Sequence, residues 1–111
     1  MKKQINKQLI DEIMISGEVQ WQKHALQRMM ERKISRSEVR NSIFSGKIIE
    51  IYEDDRPYPS ALIANINNQY ALHVVVALDE ENKICYIITA YIPDGNHFEE
   101  DMITRRNYEN K

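Results

Sequence analysis

At 111 residues and 13.2 kDa, with 29% charged and 42% apolar residues, the chain suits one hydrophobic core rather than two and lies far from the composition of disordered proteins. A net charge of −2 argues against a generic polyanion binder, yet residues 22–47 hold seven Lys/Arg against two acidic residues and residues 48–111 hold five against twelve. Such a basic helical half either turns one positive face to an anionic ligand or is a solvated surface of intermingled charges.

The lone Cys85 has no partner for an internal disulfide and no Cys/His spacing for a metal. No apolar stretch approaches the roughly 18 residues that would span a bilayer. Met1 to Gly17 mixes charges into its apolar pattern, unlike a signal peptide. A cytoplasmic protein with no membrane partner is expected.

Apolar positions 5, 9, 10, 13 and 14 predict an amphipathic helix over Ile5 to Ile15, ended by Ser16 and Gly17 and acting as a brace. Glu18 to Trp21 reads as a connector with a brief extended piece. A second helix is expected from about Gln22 to Lys33, with Trp21, Ala25, Leu26, Met29 and Met30 as its apolar arc. Ser35 with Glu38 three residues later is a capping-box pattern, opening a third helix that buries Val39, Ile43 and Phe44 and stops at Gly46.

From Lys47 the pattern changes to strands punctuated by turns. KIIEIYED is the first strand, and DDRPYP a loop whose prolines exclude a central strand. SALIANI is the second, followed by a hairpin turn at Asn67-Asn68. Tyr70 to Leu78 is the third, and an acidic turn at Asp79 to Asn82 leads to a fourth over Lys83 to Ile92. The expected architecture is α+β, with N-terminal helices packed on a four-stranded antiparallel sheet. It is read as a single domain with an N-terminal helix (1–17), a helical part (18–46), a sheet (47–92) and a C-terminal tail (93–111).

Strict alternation puts His73 on one face with Ala71, Val75 and Ala77, and groups Cys85, Ile87, Thr89 and Tyr91 against Tyr86, Ile88 and Ala90. Both faces are apolar, so the buried one is left open. His24, Arg28 and Arg32, spaced i, i+4, i+8, form a row along one edge of the second helix.

The chemistry is bounded by what is missing. The three histidines, His24, His73 and His97, lack ligand spacing, and the three glycines form no phosphate loop. No metal or other cofactor is expected. A set of His, Arg, Thr and Tyr suits cleavage of RNA by its own 2′-hydroxyl. That reaction needs an acid and a base titrating near neutrality and donors for the charge gathering on the phosphorane. Imidazole and guanidinium supply these.

W-x-x-H-A-x-x-R-M-x-x-R at 21–32, I-x-x-x-x-V at 34–39, G-K-I-I-E-I-Y at 46–52, P-x-P-S at 57–60, L-H-V-V-V at 72–76 and I-I-T-A-Y at 87–91 recur in order. Over about residues 18–106 the chain resembles the domain-of-unknown-function family 4258. That family is grouped with RelE-, MqsR- and BrnT-like toxins among the barnase, EndoU, colicin and RelE-type ribonucleases, whose helices precede a four-stranded antiparallel sheet. The resemblance implies His24 as general acid/base, with Arg28 and Arg32 contacting phosphate. Thr89 and Tyr91 would form the opposing wall, and Arg105 and Arg106 would close over the RNA backbone. Lys23 and His73 join them as substrate-binding candidates, and the acidic second half is a departure that would weaken a broad grip on RNA.

Each residue also has a plain structural use. His24 can be a helix-edge histidine with its Arg neighbours in surface ion pairs, His73 a packed core residue, His97 a surface loop residue, Thr89 and Tyr91 strand formers, and Trp21 a core anchor. Two functions follow. One is a metal-independent endoribonuclease toxin of a type II toxin-antitoxin system, with RNA, free or on the ribosome, as substrate and a cognate antitoxin as partner. The other is a non-catalytic protein- or nucleic-acid-binding module on the same scaffold.

Overall fold

The structure, a computed structural model, describes residues 4–67, 70–94 and 102–103. Three helices, α1 (Lys7–Ser16), α2 (Lys23–Arg32) and α3 (Arg36–Ser45), surround a first short strand and precede four longer ones: β1 (Glu18–Trp21), β2 (Lys47–Tyr52), β3 (Ser60–Asn67), β4 (Tyr70–Asp79) and β5 (Ile84–Tyr91). The strands form one sheet in the order β1-β5-β4-β3-β2.

Local chemistry accounts for the helices. Asn6 caps α1, its side-chain oxygen accepting from Leu9 N–H at 2.8 Å, and Ile10, Ile13 and Met14 turn inward. The α3 capping box forms as expected: Glu38 N–H donates to Ser35 Oγ at 3.0 Å, and Ser35 N–H to Glu38 Oε1 at 3.1 Å. α2 has no side-chain cap and ends on Lys33 in the left-handed conformation, φ 57°, with its N–H aimed at the Met29 and Met30 carbonyls. Two residues expected inside are outside. Met30 is 81% exposed and Phe44 40%, because each falls one step past the stripe its helix buries, Ala25 and Met29 in α2 and Val39, Ser42 and Ile43 in α3.

The sheet has five strands where four were expected. Glu18 to Trp21 is not a connector. It is an edge strand running parallel to β5, from Glu18 opposite Ile84 to Trp21 opposite Ile87. Its alternation is correct, with Val19 and Trp21 half-buried against the core and Glu18 and Gln20 exposed, but four residues are too few to stand out from a loop. The other pairings, β2 with β3, β3 with β4 and β4 with β5, are antiparallel as expected. Asn67 pairs with Tyr70, while the turn expected at Asn67-Asn68 extends outside the described residues.

All three helices cover one face. Ile10, Ile13, Ala25, Met29, Val39 and Ile43 pack on Ile63, Leu72, Val74, Val76, Leu78, Cys85, Ile87 and Ala90. Fully burying each large side chain of this set contributes roughly 1.5–3 kcal/mol before the entropy of ordering it is counted. The opposite face is no open surface: Ser60, Leu62, Ala64, His73 and Ala77 are also buried.

Strict alternation fails once in β5. Val75 pairs with Thr89 but Val76 with Ile87, so Ile88 is an extra residue. The bulge puts Ala90 in the helical core with Cys85 and Ile87. Thr89 and Tyr91 pass to the outer face, where Thr89 stands opposite Val75, Tyr91 opposite His73, and Tyr86 opposite Ala77.

Candidate functional site

The α2 row stands on the surface. Lys23, His24, Arg28 and Arg32 are all exposed, because the helix spends its inward positions on Ala25 and Met29. Arg28 Nη1 lies 3.7 Å from Glu31 Oε1, a loose exposed pair of the kind that contributes little to stability. Arg32 Nη1 donates to the Ala90 carbonyl at 3.2 Å and so ties the end of α2 to β5. At the other end, Gln22 N–H donates to the Ile87 carbonyl at 3.2 Å, where the β1 pairing stops. The helix is therefore strapped along the C-terminal half of β5, with His24 and Arg28 between its two attachments.

Thr89 and Tyr91, expected as the wall facing His24, belong instead to the outer face with His73. Tyr91 Oη lies 3.3 Å from His73 Nδ1, and His73 Nε2 lies 2.7 Å from the Met102 carbonyl oxygen. The two rings sit 5.3 Å apart at 59°. His73 is fully buried, with a protein oxygen at each ring nitrogen. It holds Tyr91 and the segment at Met102 in place. His97, Arg105 and Arg106 lie outside the described residues.

The outer face also carries a cavity of about 490 Å³ that no local sequence feature announced. Val75, Ala77 and Ile88 form its floor, and Gln22, Asp55, Arg56, Pro57, Tyr58, Ser60 and Tyr86 line the rest. An apolar floor with a few convergent polar groups is the usual form of a small-molecule or nucleotide site. Tyr58 and Tyr86 stack with centroids 5.5 Å apart and planes within 9° of parallel. The Asp79 carboxylate raises the Tyr58 phenol above its ordinary value, chiefly by hydrogen bonding and then by charge. Asp79 is itself held below the usual carboxylate value, first by the Asn82 side-chain amide, which donates to it at 2.8 Å. Ser60 Oγ donates to Asp55, fixing the loop against β3. The loop was legible from its prolines. Tyr58 and Tyr86 were not, since their meeting depends on a register 28 residues away.

Gln22, the residue that precedes α2, lines the cavity; His24 follows it by two residues, about half a turn, so its side chain leaves the helix on the other side. A second contact on the helical side also went unforeseen: Arg36 and Arg40 of α3 each lie over the Trp21 ring, their guanidinium carbons 5.5 and 5.6 Å from its centroid.

Among the described residues no three His, Cys, Asp or Glu side chains come together as a metal site. No described helix is long and apolar enough to cross a membrane. Cys85 is fully buried in the core, and burial pushes its thiol up to about 12, far from reactive thiolate.

Compared with known proteins, the chain matches no curated protein and no solved structure. Residues 21–92, well over half of its length, match the domain of unknown function DUF4258, and the chain belongs to that family.

Proposed function

We propose that the protein is a metal-independent endoribonuclease acting as the toxin of a type II toxin-antitoxin pair, with His24 as its general acid/base. The observation that carries the reading is the row itself: an imidazole, His24, and two guanidinium groups, Arg28 and Arg32, exposed along one edge of α2. The cavity has the size and lining for a nucleobase, with an apolar floor, two tyrosines and amide, guanidinium and hydroxyl groups at its rim. The arginines suit the scissile phosphate and its neighbours, where a guanidinium fork binds two oxygens at once. An imidazole serves as the base for the 2′-hydroxyl and then as the acid for the leaving 5′-oxygen. In this reading His73 and Tyr91 act at one remove, by fixing the outer face against which RNA lies. A cognate antitoxin covering the α2 edge would silence the enzyme.

The second reading, a non-catalytic binding module, is favoured by one specific feature. Among the described residues no carboxylate or carbonyl holds the His24 ring, whereas a catalytic imidazole commonly has an orienting partner. The two are separated by incubating the protein with RNA or ribosomes in EDTA. Cleavage that survives the chelator and disappears in His24→Ala and Arg28→Ala supports the enzyme. Equal inertness of wild type and both variants, with no growth defect on induced expression, would sink it.

A further inference from the structure

The cations of the helical layer do not end with α2. Arg36 and Arg40 lie one helical turn apart on α3, both exposed, and both guanidinium groups rest over the same indole, Trp21 of β1. α3 carries one carboxylate, Glu38, and the capping box turns it back onto the Ser35 N–H. Among the described residues, Lys23, Lys33, Arg36 and Arg40 have no ion-pair partner.

A guanidinium resting over an aromatic ring is attracted to the ring face and still carries N–H donors for an anion. The contact also restrains long side chains that would otherwise lose rotamer freedom on binding an anion. Two forks held on one ring, inside a stretch of seven basic against two acidic residues, make a preorganised receptor for closely spaced anions. The acidic second half of the chain leaves this layer as the place where a polyanion can approach.

We infer that the Trp21–Arg36–Arg40 cluster binds the phosphate backbone of single-stranded RNA, as a second contact zone beyond the α2 edge. The choice of RNA as the polyanion rests on the function proposed above. Each phosphate neutralised on a single strand contributes about 0.7 to the slope of log affinity against log salt. The pair should therefore account for about 1.4 of that slope.

Trp21 is the only tryptophan in the chain, so its fluorescence reports on this cluster alone. Full-length protein carrying His24→Ala is titrated with a single-stranded RNA oligonucleotide at several salt concentrations. A saturable change in Trp21 emission is expected, with affinity falling about ten-fold or more and the slope dropping by about 1.4 when Arg36→Gln and Arg40→Gln are combined. Replacing both arginines by lysine keeps the charge but not the guanidinium fork over the indole. That variant should retain most of the salt slope and lose most of the emission change.

An unchanged slope and affinity in the double glutamine variant would overturn the inference. So would polyglutamate binding as tightly as RNA with the same dependence on the two arginines, since the cluster would then read acidic protein. RNA cleavage by a protein whose binding ignores Arg36 and Arg40 defeats this inference alone. RNA bound through them without cleavage by wild type defeats the ribonuclease reading alone.

Discussion

Tyr91 stands directly across from His73 on the neighbouring strand, its hydroxyl 3.3 Å from Nδ1, while Nε2 meets the Met102 carbonyl oxygen at 2.7 Å. Both ring nitrogens of this fully buried histidine thus meet protein oxygens, which gives the side chain a structural task. Tyr91→Phe should cost about 1 kcal/mol, the usual size of a lost hydrogen bond, and His73→Ala about 2–4 kcal/mol because it also empties a buried volume. Urea unfolding measures both. A stability change below about 0.5 kcal/mol in His73→Ala, with activity abolished, would move His73 into the catalytic role instead.

His24 and Arg28 predict the opposite pattern. Both are exposed, so alanine at either position should leave stability within about 0.5 kcal/mol of wild type. On the ribonuclease reading proposed above, loss of His24 as general acid/base should lower the cleavage rate by about 10²–10⁴-fold. Arg32→Ala falls between, since it also removes the donor to Ala90 and loosens the end of α2.

Backbone geometry gives a pair of opposed changes. Lys33 holds φ 57° at the end of α2, where a side chain is a burden, so Lys33→Gly should stabilise by about 0.5–1 kcal/mol and raise Tm by a few degrees. At Gly46 an added Cβ would lie 2.5 Å from the Ser42 carbonyl oxygen and 2.6 Å from that of Ala64. Gly46→Ala should destabilise by about 1–3 kcal/mol as α3 is pushed from β3. Thermal melts of the two variants should move in opposite directions.

Asp79 and Tyr58 set opposite pH limbs. The Asp79 carboxyl is lowered, so its contribution is present above its unfolded value near 3.8 and is lost as pH falls through the folded one. The Tyr58 phenol is raised, so its contribution is present below about 10 and is lost as pH rises through its folded value. Asn82→Ala should make the protein more tolerant of acid relative to its own neutral-pH stability, since Asp79 loses the donor that most lowers it. Asp79→Asn should return the Tyr58 titration toward its ordinary value, read by tyrosine absorbance. A Tyr58 titration unmoved by Asp79→Asn would contradict the assignment.

Cys85, fully buried with its thiol at about 12, should resist thiol reagents in the native protein. Its labelling rate should follow global opening as denaturant rises, because it sits in the central core rather than in a fraying end. Rapid labelling in native buffer would place β5 among the locally opening elements.

What the chain reveals before folding is what neighbours decide. The α3 capping box needs only Ser35 and Glu38, three residues apart, and the loop at residues 53–59 needs only its prolines; both are found as expected. Glu18 to Trp21 reads as a connector with a brief extended piece, and its place in the sheet is missed because its hydrogen bonds come from β5, more than 60 residues later, and four residues carry little periodicity of their own. The candidate site shows the same division. The exposed α2 row followed from helical spacing, whereas the Tyr58–Tyr86 stack, the cavity beside it and the Arg36–Trp21–Arg40 contact each join distant segments. Arg36 and Arg40 did carry a local sign, two like charges one turn apart on a helix with one carboxylate.

The extra residue at Ile88 divides β5 into two halves of opposite phase. Were β5 to run without the bulge and keep all of its residues, its pairing would slip by one after Ile87, turning Thr89 and Tyr91 toward the helices and expelling Ala90. The helical layer, now closed over an alanine, would have to admit a tyrosine, and His73 would lose its neighbour in the same step. One insertion thus lets a single strand seal the core with its small residue and furnish the opposite face with its polar ones. Deleting Ile88 should therefore keep Thr89, Ala90 and Tyr91 opposite Val75, Val74 and His73, because the residues that remain alternate without a bulge.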